Sequence, residues 1–248
     1  MKRTINISLL AMMVMLILYG LTSLGYMGPN PVGNTGTDIN PLIVPEPYAF
    51  AIWSIIYLGL IVFPIYHFFR PPIAQHVHWS KVHLWYAINV VCNGLWLVCA
   101  SYDWLILSVG VIVLMLISLM IIHAELRAIS RVDGIRQYWV ERAVFSVYFA
   151  WITLATVLNV ASALLYYGWT GGPLSQEIWT VVMSLVAAAI AGHVAWHKSD
   201  RPYAAVVVWA FVALTIRHWG EIPMIAYTAI GVVVMFVGLI VGVSVKKG

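Results

Sequence analysis

The stretch WLILSVGVIVLMLISLMIIH, residues 104–123, decides the fold. It carries no Asp, Glu, Lys or Arg from Trp104 to His123. Wound as an α-helix at ~1.5 Å per residue, it is ~30 Å long, the thickness of a bilayer's hydrocarbon core. Seven further apolar windows flank it, at 7–27, 48–69, 82–101, 140–167, 178–196, 203–216 and 223–245, of which 203–216 is the shortest. The composition agrees. The 248 residues are 62% hydrophobic and 9% charged, with a mean hydropathy of +0.93, whereas a soluble domain is roughly one quarter charged. Lipid must therefore replace water around this chain. Irregular backbone facing lipid would leave amides and carbonyls unpaired, and the long unbroken apolar runs exclude a β-barrel. The expected fold is all-α, a polytopic transmembrane bundle of about eight helices.

Charge sets the expected orientation. With the N-terminus inside, Lys2, Arg3, Arg70, Lys81, Arg127, Arg131, Arg136, Arg142, Lys198, Arg201, Lys246 and Lys247 all face the cytoplasm, and only Arg217 of the thirteen basic residues lies outside. This is the positive-inside pattern, from which both termini are expected on the cytoplasmic side; a plasma membrane is the simplest expected home for such a multi-pass protein. The same residues sit in short connections and form no basic stripe with interleaved aromatics, so the net charge of +4 does not indicate nucleic acid. Met1, Lys2 and Arg3 followed by an apolar run resemble the start of a signal peptide, but no small-x-small cleavage site precedes Gly25, and a retained first helix is expected. Cys92 and Cys99 are seven residues apart in one window, ~10 Å along a helix, beyond disulfide reach.

Several intramembrane chemistries are removed by what the windows lack. Every lysine lies outside them, which leaves no Schiff-base site. The eight histidines read as lying in loops or near span ends, so no axial pair for haem is expected. His193 and His197 have the i,i+4 spacing of a metal pair, but no glutamate accompanies them and they read as interfacial decoration; no metal site is expected. No carboxylate falls at mid-span, where a proton relay or ion-coupled pump normally leaves one. Arg217 and Glu221 are spaced to pair on the outer side. No nucleophile, base or metal constellation supports hydrolytic or transfer chemistry, so no catalytic residue and no required cofactor are assigned.

Tryptophan is the remaining signal, twelve in all. Trp79, Trp85, Trp104, Trp139, Trp169, Trp179, Trp196 and Trp219 fall near predicted interfaces, as anchors of an aromatic belt do. Trp53, Trp96, Trp151 and Trp209 lie inside spans, where an indole N–H needs a partner that hydrocarbon does not offer, and they are expected to face protein. Helix direction puts Trp53, Trp96 and Asn159 in the outer half, with Asn93 one turn and Trp151 about two turns deeper. Phe50, Trp53, Tyr57, Asn89, Asn93, Trp96, Tyr148, Trp151 and Asn159 can thus line one aromatic cavity beneath the connection 28–46. That connection, rich in Gly, Pro, Asn and Thr, is long for a membrane protein and reads either as a cover over the cavity or as a plain surface loop. The same side chains also fit ordinary packing, with Asn93 and Asn159 as hydrogen-bond glue between helices.

At these residues the chain resembles the TspO/MBR family, the tryptophan-rich sensory proteins related to the mitochondrial translocator protein. The resemblance is carried by Pro47, Tyr48, Ala49, Phe50, Ala51, Ile52 and Trp53 with Tyr57, by Asn93 with Trp96, and by Trp151, Ala155, Thr156, Leu158 and Asn159. It covers 7–167, and so implies a five-helix core over 1–168 followed by three additional helices over 169–248. It also implies a bundle, often a homodimer, that binds porphyrins and other flat hydrophobic small molecules. On that resemblance Phe50, Trp53, Tyr57, Asn93, Trp96, Tyr148, Trp151 and Asn159 are the ligand-binding residues, Trp53 and Trp151 being the paired indoles and Asn93 and Asn159 the polar contacts. The cholesterol-motif pattern fails, because no basic residue follows Tyr166 or Tyr167 before Lys198. The alternative is a small-molecule membrane transporter. Against it, Pro64 is the only internal proline of the first seven spans, where transporters often break their helices. A third reading, photochemistry on the bound ring at Trp53 or Trp151, ranks below binding.

Overall fold

The computed structural model describes residues 1–30, 41–72, 74–129 and 135–245, and among them every regular element is helical. The eight long helices are α1 (Lys2–Ser23), α2 (Ile52–Phe69), α3 (His76–Ser101), α4 (Leu105–Ala128), α5 (Val144–Tyr166), α6 (Gln176–Lys198), α7 (Arg201–His218) and α8 (Pro223–Val245). A 3-10 turn, Pro47–Ala51, leads into α2. A short helical turn, Ile135–Tyr138, and a π-helical turn, Trp139–Ala143, lead into α5. Seven of the helices are long and apolar enough to cross a membrane. The exception is α7, the window that is shortest in the sequence, which occupies 18 residues, ~27 Å of helix.

Helix ends follow the local sequence. Ser175 accepts a hydrogen bond from the amide of Ile178 to cap α6, and Asp200 accepts one from Tyr203 to cap α7, with Pro202 in the first turn where a missing N–H costs nothing. The expected ion pair between Arg217 and Glu221 does not form. Helix α7 stops at His218, and Gly220 turns the chain at φ +81°, so the i,i+4 register that would align the two side chains is lost.

The chain divides into two compact units. Unit 1 is Met1–Asp38 with Ser54–Phe149, and unit 2 is Ile39–Trp53 with Ala150–Gly248. In unit 1, α3 is the hub, packing against α1 on one side and α4 on the other. Its core is Met15, Ile56, Leu60, Phe63, Tyr86, Ile112, Met115 and Phe145, all at most 1% exposed. Asn89 Nδ2 donates to the Met115 carbonyl at 3.1 Å and to Ser118 Oγ at 2.7 Å, which ties α3 to α4 in the way buried amides join membrane helices. Outward faces stay apolar, as at Leu10, Met13 and Ile17 of α1 and Ile106, Leu107 and Leu114 of α4. Such faces suit lipid and would be untenable in water.

Pro64 sits inside α2, so the carbonyl of Leu60, four residues earlier, has no helical N–H to accept from. The hydroxyl of Tyr86 on α3 fills that place, donating to the Leu60 carbonyl at 2.7 Å. A proline in a membrane helix is tolerated when a neighbour supplies the missing donor.

In unit 2, α8 packs on α6 and α7, and the 3-10 turn packs on α7. Small residues of α6 and α7, among them Ala187, Ala191, Ala204 and Ala213, are buried and let the helices close up around Phe236 and Phe211. Tyr203 on α7 donates to Thr153 on α5 at 2.9 Å.

Candidate functional site

Trp151 is the centre of an aromatic cluster in unit 2. The turn Pro47–Ala51 brings Phe50 to it edge-on, with ring centroids 5.7 Å apart and planes at 88°, and the start of α2 brings Trp53 edge-on at 6.4 Å and 88°. Such T-shaped contacts place the positive edge of one ring on the negative face of another. Trp151 is 3% exposed, and its indole N–H has no hydrogen-bond partner. Phe50 is 37% exposed and Trp53 half-buried, so the cluster grades from a covered indole to an open edge. Asn159 lies half-buried two turns further along α5.

The same turn is fixed by α7. Trp209 Nε1 donates to the Ala49 carbonyl at 3.0 Å, and its ring lies edge-on to Tyr48 at 5.2 Å. Trp209 therefore satisfies its N–H within the unit, unlike Trp151, although its ring is 39% exposed.

The remaining residues of the expected cavity belong to unit 1. Asn93 and Tyr148 are fully buried and joined to each other, Asn93 Nδ2 donating to the Tyr148 hydroxyl at 2.8 Å, while the Tyr57 hydroxyl donates to Asn93 Oδ1 at 3.3 Å. Trp96 is half-buried on α3. Asn89, which the sequence also places on the cavity wall, is turned to α4 instead.

The connection 28–46 is anchored at both described flanks, while 31–40 lies outside the described residues. Asn30 Nδ2 donates to Asp103 Oδ2 at 2.6 Å in unit 1. In unit 2 the Glu46 amide donates to the Ala213 carbonyl at 3.4 Å, and His218 donates from Nε2 to the Leu42 carbonyl at 2.7 Å. Beside that second flank is an open groove with about 400 Å³ of empty space, lined by Leu42, Ala161, Leu165, Trp169, Trp179 and Met183. None of the eight expected ligand-binding residues lines it.

Sequence reasoning missed a buried polar chain in unit 1. Ser8 Oγ lies 2.9 Å from His83 Nδ1, His83 Nε2 lies 2.9 Å from His67 Nδ1, and His67 Nε2 lies 3.0 Å from Glu141 Oε1. All four residues are at most 1% exposed. His67 and His218 lie near helix ends, as expected, and His83 lies two turns inside α3; all three, with His123, are buried. His193 and His197 are exposed and adjoin, as expected. Trp79, expected as an interface anchor, is 4% exposed and packs edge-on against the His67 ring at 4.7 Å. Glu141 was hidden because it lies at the start of its span, beside Arg142, where a charged side chain reads as interfacial. The available signal was the rule that an ionisable residue inside a membrane helix has a named partner or a function.

Among the described residues no group of three His, Cys, Asp or Glu side chains is arranged to hold a metal ion. A family model described as TSPO-like protein matches residues 5–242, which takes in α6, α7 and all but the last three residues of α8. No curated protein and no solved structure matches the chain.

Proposed function

We propose, for a chain that belongs to the TSPO-like protein family, that it is a membrane ligand-binding protein of the sensory type. It takes porphyrin-like or other flat hydrophobic molecules against Phe50, Trp53 and Trp151, with Asn159 as a polar contact further along α5. The orientation that goes with this reading keeps both termini in the cytoplasm and the protein in the plasma membrane, on the strength of the basic-residue distribution.

One observation carries the reading: the indole of Trp151 is buried among aromatic edges and its N–H is unsatisfied. A buried N–H without an acceptor is costly in any protein and more so in hydrocarbon. A planar ring system seated on these edges gains apolar burial, at ~25 cal/mol per Å², and a carboxylate or carbonyl on its rim supplies the acceptor. Titration of protoporphyrin into the purified protein, read by quenching of tryptophan fluorescence, tests this. Trp151→Phe keeps an aromatic ring and loses the N–H, and should weaken binding by about one hydrogen bond, roughly threefold to tenfold. Trp151→Ala and Trp53→Ala should weaken it further. Unaltered affinity in all three removes the basis for the site.

The transporter reading gains one observation, a carboxylate buried within a span at Glu141. Flux of labelled porphyrin across proteoliposomes, set beside equilibrium binding, separates carrier from sensor.

A further inference from the structure

The chain from Ser8 to Glu141 occupies the end of unit 1 where α1 begins, α2 ends and α3 begins. Its spacing leaves little freedom in how protons are placed. A nitrogen-to-nitrogen separation of 2.9 Å between His83 Nε2 and His67 Nδ1 needs one N–H between the rings, which also removes that pair of nitrogens from metal binding. At one end Glu141 Oε1 also accepts from Gln137 Nε2 at 3.2 Å, while Oε2 has no partner. At the other end the Ser8 hydroxyl has two carbonyls within reach besides the ring, that of His83 at 3.0 Å and that of Thr4 at 3.2 Å. The surroundings are aromatic apart from one cationic group near His83. Phe63 stacks on His83 at 5.0 Å, Trp79 and Tyr66 adjoin His67, and the amino group of Met1 acts on His83 from α1. The carboxylate arises in the π-helical turn Trp139–Ala143, a backbone form concentrated at functional sites.

We propose that Ser8, His83, His67 and Glu141 form a buried relay that takes up and releases a single proton. In the proton-poor state Ser8 donates to His83 Nδ1, His83 Nε2–H donates to His67 Nδ1, and His67 Nε2–H donates to the Glu141 carboxylate. Every bond is satisfied, and the chain carries one net negative charge. A proton taken from solvent forms an N–H bond at His83 Nδ1. The His83 Nε2–H bond then breaks as its proton passes to His67 Nδ1, and the Ser8 hydroxyl turns to the His83 or Thr4 carbonyl. His67 is now an imidazolium beside the Glu141 carboxylate, His83 is neutral again in its other tautomer, and every bond is again satisfied. One proton has been added and the charge has moved the length of the chain. The two carbonyls at Ser8 are what make the second polarity available. The relay is independent of where any ligand binds.

Histidine labelled with 15N in the full chain, reconstituted in lipid nanodiscs, reads the protonation and tautomer of each ring. As the pH is lowered from about 9 to about 4, His67 should pass from neutral to cationic and His83 from its Nε2–H to its Nδ1–H tautomer at one shared midpoint. Glu141→Gln removes the counter-charge and should weaken proton binding about tenfold or more. Ser8→Ala touches His67 only through His83, yet should shift the His67 midpoint about threefold or more in proton affinity. The relay is refuted if His83 becomes the cation, if the rings titrate separately, if neither changes, or if Ser8→Ala leaves the His67 midpoint in place. The wild-type measurement alone decides the matter if either variant fails to fold.

Discussion

Tyr86→Phe deletes one oxygen atom from a fully buried position in unit 1 and leaves the ring that packs against Phe63 in place. The oxygen donates to the Leu60 carbonyl at 2.7 Å, and that carbonyl has lost its helical donor to Pro64. Losing a neutral hydrogen bond costs ~0.5–1.5 kcal/mol, and leaving its buried partner bare adds to that, so a net loss of about 2 kcal/mol is expected. The reasoning is specific enough to be reversed. Pro64→Ala restores an N–H facing Leu60, so in the Tyr86→Phe background it should recover at least ~1 kcal/mol more than it does in the wild type, a coupling that a double-mutant cycle isolates. Reversible unfolding in mixed micelles, followed by circular dichroism, supplies the four free energies. A Tyr86→Phe cost below ~0.5 kcal/mol, or an equal effect of Pro64→Ala in both backgrounds, would show that another group serves the Leu60 carbonyl.

Two further expectations concern packing and charge. A Cβ added at Gly59 of α2 would overlap the Val144 side chain of α5, so Gly59→Ala should destabilise by ~1–3 kcal/mol and Val144→Ala should restore most of it; additive losses would place the contact elsewhere. Lys81 pairs with Glu125 at 3.1 Å but is 53% exposed, so Lys81→Met should change stability by less than ~0.5 kcal/mol in the same unfolding assay, and a larger loss would mean the pair is shielded from solvent.

The spans were legible because hydrocarbon thickness imposes a length that a window of apolar residues records directly. The 104–123 window grew into Leu105–Ala128 and 178–196 into Gln176–Lys198, each extended by polar residues that cap or flare at the interface. The resemblance to the TspO/MBR family was readable over 7–167 from aromatic motifs, whereas the family match continues through 242. The pairing of Trp53 with Trp151 was an implication of the family resemblance, since helix direction and depth alone put Trp151 about two turns deeper; the two rings lie edge-on at 6.4 Å. What stayed hidden depends on partners far apart in sequence. Pro64 reads as a kink until Tyr86, 22 residues later, is seen to supply its missing donor. His67 and His83 read only as histidines near span ends, and Glu141 as a charge at the start of a span, because the bonds that bury them cross three helical segments. Trp79 belongs to the same class, since a first-turn tryptophan matches an interface anchor until the His67 ring lies against it.

The central claim is that a flat ligand seats on the Trp151 cluster, and 19F spectra of protein labelled with fluorotryptophan address it residue by residue. Protoporphyrin added in steps should move the Trp53 and Trp151 resonances together to saturation while Trp104 and Trp139, both well exposed at helix ends, hold still. Shifts confined to Trp169 and Trp179 would instead put the ligand in the open groove beside Leu42 and contradict the assignment.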